Sequence, residues 1–204
     1  MVKRLSDKIA CYMSCQLKYD KEKEEVLSYG LEIALGGLFK ILTLVTVSLI
    51  LGTFYYTMMG MISFSAFRAI IGGAHQDTYE KCFAISIALL LIIGCLGKNI
   101  NFFIDKNMWV LYLVLGQALL STLVWVPAGT EKKEIKNKNL RLKMKVAAII
   151  LLIIWCMLII YSSKYNYHQY ALSSILGVFS AFFFVTPPAY KLMEMKLKFE
   201  KGVI

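Results

Sequence analysis

The chain has 204 residues, of which 58% are hydrophobic and 18% charged, and its formal net charge at neutral pH is +10. This much apolar material excludes an ordinary soluble fold and intrinsic disorder, and it suffices for five or six membrane spans of about 20 residues each. The sequence therefore predicts an integral membrane protein. Its spans should be α-helices, because lipid cannot form hydrogen bonds with the backbone and a helix satisfies its own N–H and C=O groups.

A basic net charge often marks proteins that bind nucleic acid, but the lysines and arginines here lie between and beside the apolar runs. That distribution is typical of the cytoplasmic loops of membrane proteins, so nucleic acid is not expected as a partner. The five cysteines lack paired C-x-x-C spacing, which argues against a disulfide framework or a zinc site. No metal or cofactor is expected.

The segment 1–28 is polar and charged, unlike a cleavable signal peptide. Its apolar residues fall near helical spacing, with charged residues on the other side: Val2, Leu5, Ile9, Tyr12 and Met13. The pattern predicts an amphipathic helix lying along the cytoplasmic leaflet. The alternative is a solvated segment that leads into the first span.

Six spans are predicted within a single transmembrane domain over residues 1–204, which makes the fold all-α. They cover roughly Leu31–Gly52, Thr53–Ile71, Phe83–Gly97, Met108–Val126, Val146–Ser162 and Gln169–Val185. With a cytoplasmic N-terminus, six spans place nineteen of the 23 basic residues inside and three outside, whereas one span over 41–67 gives about 13 against 10. The division of the first apolar stretch into two spans is therefore favoured, and both termini should face the cytoplasm.

Two groups of residues within the predicted spans are open to more than one interpretation. Glycines can let helices approach closely or can be ordinary membrane-helix residues, and both readings stand for Gly36, Gly37, Gly60 and Gly177. A charged residue inside a membrane indicates a functional role, but no role is assigned to Glu32 and Lys40.

The segment 68–82, between the second and third predicted spans, holds the residues best suited to chemistry: Arg68, Gly72, Gly73, His75 and Cys82. A cysteine attacks a carbonyl as its thiolate, and a neighbouring imidazole can take the thiol proton and return it to a leaving amine. A third span that begins near residues 78–80 would put Cys82 in its first turn, where the helix dipole favours a negative sulfur.

The spacing of His75 and Cys82 constrains this interpretation. One continuous helix would hold them about 10 Å apart, which is too far for proton transfer. We expect the glycine pair at 72 and 73 to break the helix, so that His75 lies off the helix of Cys82 and against its N-terminus. Arg68 could instead merely extend to the headgroups. Residues interpreted as packing or interfacial are Cys95, Cys156 and His168.

The pattern Arg68-x-x-x-Gly72-Gly73-x-His75, followed by Cys82 and Ser86, resembles the signature of the accessory gene regulator protein B (AgrB) family. These are bacterial membrane endopeptidases that process quorum-sensing pro-peptides. The similarity extends to the chain length, the N-terminal segment, the six spans, a basic loop opening near Pro127 and a Thr186-Pro187 ending to the last span. The run 127–133 departs from the family, because it has no Asn-Lys-Pro element.

The resemblance implies that Cys82 is the nucleophile and His75 its base, with Arg68, Gly72, Gly73 and Ser86 supporting the site. The implied substrate is an AgrD-like precursor peptide with an amphipathic leader and an acidic C-terminal tail. Cleavage before the tail would leave a thioester on Cys82, which an internal cysteine or serine of the peptide displaces to close a thiolactone or lactone ring. The family also implies a homodimer in the bacterial cell membrane.

The segment 127–145 is predicted to be a basic cytoplasmic loop with seven lysines and arginines. It could serve only to fix the topology, bind anionic membrane lipids, or recognise the acidic tail, with Lys132 and Lys133 as candidate contacts. Two other functions compete with the peptidase: a small polytopic peptide transporter or exporter, and a non-catalytic scaffold. The spans hold few ionisable groups for an ion or proton relay, which argues against transport.

Overall fold

The computed structural model describes residues 2–73, 79–100, 106–128, 137–164 and 170–192. These ranges contain eight helices: α1 Val2–Leu17, α2 Lys21–Ile50, α3 Phe54–Ile71, α4 Tyr79–Asn99, α5 Met108–Val124, α6 Lys138–Lys164, α7 Ala171–Phe183 and α8 Pro187–Leu192. Over the same ranges the structure shows no strand, only an isolated bridge between Gly72 and Ala128. The predicted all-α fold is confirmed for the described residues.

The chain divides into two compact units, residues 1–49 and 50–204. The first contains α1 and nearly all of α2. The Asp20 carboxylate accepts a hydrogen bond from the Lys23 amide at 2.9 Å, which caps the first turn of α2. The Ser28 hydroxyl of α2 donates to the Asp7 carboxylate of α1 at 2.5 Å. The second of these bonds joins the two helices of this unit.

Within α1 the buried side chains are small, namely Ser6, Ala10 and Ser14. Larger apolar residues of the same helix are exposed, with 42% of Leu5 and 69% of Tyr12 open. A helix is thus present where the N-terminal segment was expected to form one, but it ends at Leu17 and not near residue 28. Its position at a membrane surface stays a prediction.

The helix α2 begins at Lys21, ten residues before the predicted start of the first span. Its first ten residues are mostly lysine, glutamate and leucine, which favour helix although they are too polar for lipid. The helix ends at Ile50 and α3 begins at Phe54, with Gly52 between them at a φ of +63°. This break lies where the long apolar stretch was divided.

The core of the second unit is built around α7, of whose 13 residues ten are buried. This helix contacts α3, α4 and α5. A Cβ added to Gly177 would lie 2.5 Å from the Gly60 carbonyl oxygen of α3, so only glycine permits this backbone approach. A hydrogen bond of 2.7 Å between the Ser63 and Ser174 hydroxyls lies at the same interface. Of the predicted span glycines, Gly37 has no neighbour within 4 Å of such a Cβ.

Three helices are long and apolar enough to cross a membrane among the residues described: α2, α4 and α6. The helices α5 and α7 are apolar but shorter. At a rise of 1.5 Å per residue, the 13 residues of α7 extend about 20 Å, less than the roughly 30 Å of a hydrocarbon core. The protein is a helical membrane protein, and the count of six spans stays a prediction.

Candidate functional site

The predicted catalytic segment begins where α3 ends. Gly72 and Gly73 have φ values of +72° and +121°, a region that L side chains rarely adopt. The Gly72 amide donates to the Arg68 carbonyl at 3.2 Å and closes the last turn. The glycine pair therefore terminates α3 at Ile71, as expected from the sequence, and α3 does not continue into α4 as one helix.

The backbone after α3 is paired with the segment that follows α5. The Gly73 amide donates to the Ala128 carbonyl at 3.2 Å, and the Ala128 amide donates to the Ile71 carbonyl at 3.0 Å. A Cβ on Gly72 would lie 2.6 Å from the Ala128 oxygen, so a larger residue would force the two segments apart. This pairing joins the start of the predicted catalytic segment to the start of the predicted basic loop.

Arg68 lies one turn before the end of α3 and reaches the turn that follows it. Its Nη1 atom donates to the Gly72 carbonyl at 2.7 Å. Its guanidinium carbon lies 5.5 Å from the centroid of the Phe184 ring, in a cation–π arrangement. A Cβ added to Gly73 would overlap the guanidinium and lie 2.7 Å from the Phe184 carbonyl oxygen. The side chain is thus held within the protein and does not simply extend to the headgroups.

Tyr190 of α8 approaches the same arginine. Its side chain is almost fully buried, at 1% exposure. Burial raises the pKa of the Tyr190 hydroxyl above its usual value, and the positive charge of Arg68 offsets part of that rise. The Tyr190 hydroxyl is therefore harder to ionise than a free phenol.

Cys82 is half-buried in the first turn of α4, which begins at Tyr79. The described part of α4 thus begins three residues before this cysteine, within the range 78–80 expected for the start of the third span. The thiol lies within electrostatic range of the Arg68 guanidinium and of the Tyr79 hydroxyl. The Ser86 hydroxyl donates to the Cys82 carbonyl at 2.6 Å, so this serine supports the backbone that carries the thiol. A thiolate at this position has both a helix N-terminus and a guanidinium as positive neighbours.

The remaining predicted site residues, His75, Lys132 and Lys133, lie outside the described residues, as does His168. The structure brings Arg68, the glycine pair and Cys82 to one region. Cys95 and Cys156 are half-buried on α4 and α6. Over the described ranges there is no group of three or more metal-ligating side chains.

The predicted basic loop over 127–145 is only partly a loop, because α6 begins at Lys138. Four of its basic residues therefore lie on the first turns of a helix: Lys138, Arg141, Lys143 and Lys145. The Lys145 ammonium donates to the Leu123 carbonyl at 2.7 Å and so caps the C-terminal end of α5. Hydropathy predicted the start of the apolar part of α6 at Val146, and the helix itself begins eight residues earlier at Lys138.

Three residues of this region did not emerge from the sequence: Ala128, Phe184 and Tyr190. Ala128 contributes only backbone atoms, which no side-chain pattern reveals. Phe184 belongs to a run of aromatic residues that is typical of the lipid-embedded part of a span. Tyr190 follows the Thr186-Pro187 pair, which was interpreted only as the end of the last span. The only feature of the sequence that could have pointed to Tyr190 is its position shortly after the end of the last predicted span.

Comparison with known proteins finds relatives along most of the chain. The family model described as Accessory gene regulator B matches residues 6–185. An AgrB-like protein of Clostridium perfringens is 26% identical over 190 residues, covering 87% of this chain and 88% of the relative. An AgrB-like protein of Clostridium beijerinckii is 29% identical over 162 residues, or 78% and 77% of the two chains. An accessory gene regulator protein B of Staphylococcus aureus is 28% identical over 170 residues, or 83% and 88%. No solved structure gives a significant match.

Proposed function

Because the chain belongs to the Accessory gene regulator B family, we propose that it is a membrane-embedded cysteine endopeptidase with a dyad of Cys82 and His75. Membership implies a part in the peptide processing of agr quorum sensing. The substrate is an AgrD-like precursor peptide whose acidic C-terminal tail is removed. The remaining peptide is closed into a thiolactone or lactone ring and becomes the autoinducing signal.

The observation that carries this proposal is the placement of Cys82 in the first turn of α4, within electrostatic range of Arg68. The first four amides of a helix lack internal partners, and they and the helix dipole favour negative charge. A guanidinium that is already fixed to the Gly72 carbonyl adds positive charge without a further loss of side-chain freedom. Both features stabilise a thiolate, which is the nucleophilic form of cysteine.

The reaction proceeds in two acyl transfers. His75 takes the thiol proton, and the Cys82 thiolate attacks the carbonyl carbon of the peptide bond just before the tail. The carbon–nitrogen bond breaks, the imidazolium gives its proton to the departing amine, and the peptide remains as a thioester on Cys82. An internal thiol or hydroxyl of the peptide then gives its proton to the neutral His75 and attacks this carbonyl, and the carbon–sulfur bond to Cys82 breaks. The enzyme thiolate is restored as the ring closes.

The energetics of these steps require a sheltered intermediate. An amide is more stable than a thioester, so the first transfer runs uphill, whereas exchange of a thioester for a thiolactone is nearly even. Water must therefore be kept from the acyl-enzyme, and a membrane-associated site can exclude it. Holding the internal nucleophile beside the thioester raises its effective concentration by several orders of magnitude.

The basic residues after α5 supply a partner for the acidic tail. Lys132 and Lys133 are the proposed contacts, and the lysines and arginine on the first turns of α6 extend the same positive region. Anionic lipid headgroups compete for these charges. The tail would then be drawn towards the cytoplasm, since this segment lies on the positively charged side of the proposed topology.

We place the protein in the bacterial cell membrane as a multi-pass chain with six spans and both termini in the cytoplasm. In this arrangement α1 is an interfacial amphipathic helix, whose exposed Leu5 and Tyr12 side chains face lipid. Membrane lipid is accordingly a partner of the N-terminal segment. A homodimer is part of the same proposal and is supported only by the family resemblance.

The deciding experiment compares variants that each lack one cysteine, in proteoliposomes supplied with an AgrD-like precursor. Cys82→Ala should abolish release of the tail, and mass spectrometry of the wild type should detect a peptide joined to Cys82 through a thioester. Cys95→Ala is the matched control, because it removes a half-buried thiol from the same helix. A transporter would move peptide without releasing a tail. Cleavage that persists in Cys82→Ala would contradict the endopeptidase mechanism.

A further inference from the structure

A mainly apolar cavity of about 420 Å³ lies between α4, α7 and α8 and is open at the surface, where Phe179 and Leu192 are 42% and 75% exposed. This volume is within the range of about 300–1,000 Å³ that is usual for ligand pockets. Its apolar walls are formed by Ile85, Leu89, Phe179, Phe183, Phe184 and Leu192. Ser180 is the one polar side chain among the described residues that line it. The cavity can accommodate apolar groups, and no charged side chain of the described part of the chain lines it.

The register of α4 places Cys82 on the same helix face as two residues of the cavity wall. Ile85 and Leu89 follow Cys82 by three and seven residues, so all three lie on one face of the helix. At 1.5 Å per residue, the cavity begins about 5 Å from Cys82 along the helix axis and continues to about 10 Å. A group joined to the sulfur would therefore reach the cavity within its first few bonds.

Aromatic side chains connect the same cavity to Arg68. The Phe184 ring forms part of the wall and also lies 5.5 Å from the Arg68 guanidinium carbon. The Phe183 ring packs on Phe184 at 5.9 Å, and the Phe179 ring stacks on Phe183 at 6.4 Å. Aromatic rings have few rotamers, so this wall keeps its shape. The Phe184 ring thus belongs both to the cavity wall and to the surroundings of Arg68.

We propose that this cavity binds the apolar side chains on the acyl side of the scissile bond, and this inference rests on the proposed function. The acidic tail is disfavoured as the occupant, because no charged side chain among the described residues lines the cavity to pair with a carboxylate. The acyl side is favoured because it stays joined to Cys82 after the tail departs. An apolar side chain held in the cavity also keeps water from the thioester, so the cavity selects the substrate and protects the intermediate.

The test uses four AgrD-like precursors that differ only in the residue before the cut, which is Phe, Leu, Ala or Asp. The wild-type protein in proteoliposomes should show kcat/KM about tenfold or more higher for Phe and Leu than for Ala, with Asp lowest. Leu89→Trp fills the cavity and should lower kcat/KM for the Phe precursor about tenfold while changing the Ala precursor much less. Leu120→Trp, an exposed position of α5, is the matched control and should leave all four values unchanged.

Leu89→Ala enlarges the cavity and is the alternative test if Leu89→Trp does not insert into the membrane. It should raise kcat/KM for a precursor with Trp before the cut relative to kcat/KM for the Phe precursor. Equal losses for all precursors in both Leu89 variants would overturn the inference and indicate a lipid chain or a purely structural space. A wild-type protein that cleaves without regard to this residue would also overturn it. A wild-type protein that cleaves none of the precursors would overturn the proposed function itself.

Discussion

At the level of single side chains, Arg68 organises the candidate site. Its guanidinium bonds the Gly72 carbonyl, packs on the Phe184 ring and lies within electrostatic range of Cys82. These contacts come from different parts of the chain, and a planar group with five N–H donors can make them together. The arginine is therefore a positioning residue for the turn and a positive neighbour for the thiol.

Arg68→Lys should impair the enzyme although it keeps the charge. A lysine cannot hold the Gly72 carbonyl and lie flat on Phe184 at once, so we expect kcat to fall about tenfold or more. The rate at which iodoacetamide alkylates Cys82 at neutral pH should fall as well, in a variant that keeps Cys82 as its single cysteine. Peptide assays give kcat, and mass spectrometry gives the alkylation rate. Normal alkylation together with normal kcat would show that Arg68 has no role at the thiol.

Gly73→Ala should destabilise the turn and abolish most activity. The new Cβ would overlap the Arg68 guanidinium, and the φ of +121° is strained for any L residue. Such strain costs about 1–3 kcal/mol. Gly116→Ala is the matched control, because nothing lies within 4 Å of its added Cβ and alanine favours the helix interior. Thermal unfolding in detergent and tail release are the two measurements. Equal behaviour of the two variants would contradict the geometry described for Gly73.

The sequence predicted those parts of the site that depend on distinctive residue types. Arg68, the glycine pair and Cys82 could be predicted because few side chains or backbone conformations serve their roles. Ala128 and Phe184 could not, since any residue supplies a backbone amide and phenylalanine is common in membrane helices. Their contribution arises only from the tertiary arrangement that brings distant segments together.

At the level of helices, the apolar runs predicted that a helix is present more accurately than they predicted where it begins and ends. The predicted fourth span starts with α5 at Met108, and that helix ends within two residues of the predicted end. In contrast, α6 begins eight residues before Val146, because lysine, arginine and leucine favour helix formation outside the lipid. Hydropathy indicates the portion of a helix that suits lipid, and capping and propensity decide where the helix itself begins.

The contact between α1 and α2 can be tested through Cys11. The Glu24 carboxylate raises the pKa of the Cys11 thiol, with smaller contributions from burial and from Cys15. A raised pKa means less thiolate at a given pH, so Glu24→Gln should increase the rate of Cys11 alkylation near neutral pH and move its pH profile downward. The measurement is alkylation in a variant that keeps Cys11 alone, and Glu22→Gln serves as control. Identical profiles would indicate that α1 does not pack against α2 near Glu24.

At the level of the whole molecule, the distribution of positive charge is the basis for the topology. Hydropathy alone leaves the short helices α5 and α7 ambiguous, and α7 is mostly buried by its neighbours in the second unit. The asymmetry of lysine and arginine between alternate connections predicts the orientation, which helix length alone does not. Burial within the protein explains why a helix too short to span lipid is still strongly apolar.

The topology predicts which positions are reached from each side of the membrane. In a cysteine-free background, Lys106→Cys should react with a membrane-impermeant maleimide in intact cells, because the connection before α5 is proposed to be outside. Lys138→Cys, at the start of α6, should react only after the cells are permeabilised. Mass-tag gel shifts report both reactions. Labelling of Lys138→Cys in intact cells would overturn the six-span topology.

The paired backbone of Gly73 and Ala128 has a consequence for divergence among relatives. The connection from α5 to α6 is anchored at Ala128 by that pairing and near its other end by the bond from Lys145 to the Leu123 carbonyl. Insertions, deletions and substitutions between residues 129 and 137 can therefore accumulate without shifting either anchor. New cargo preferences could evolve in that stretch while the turn at the end of α3 keeps its shape.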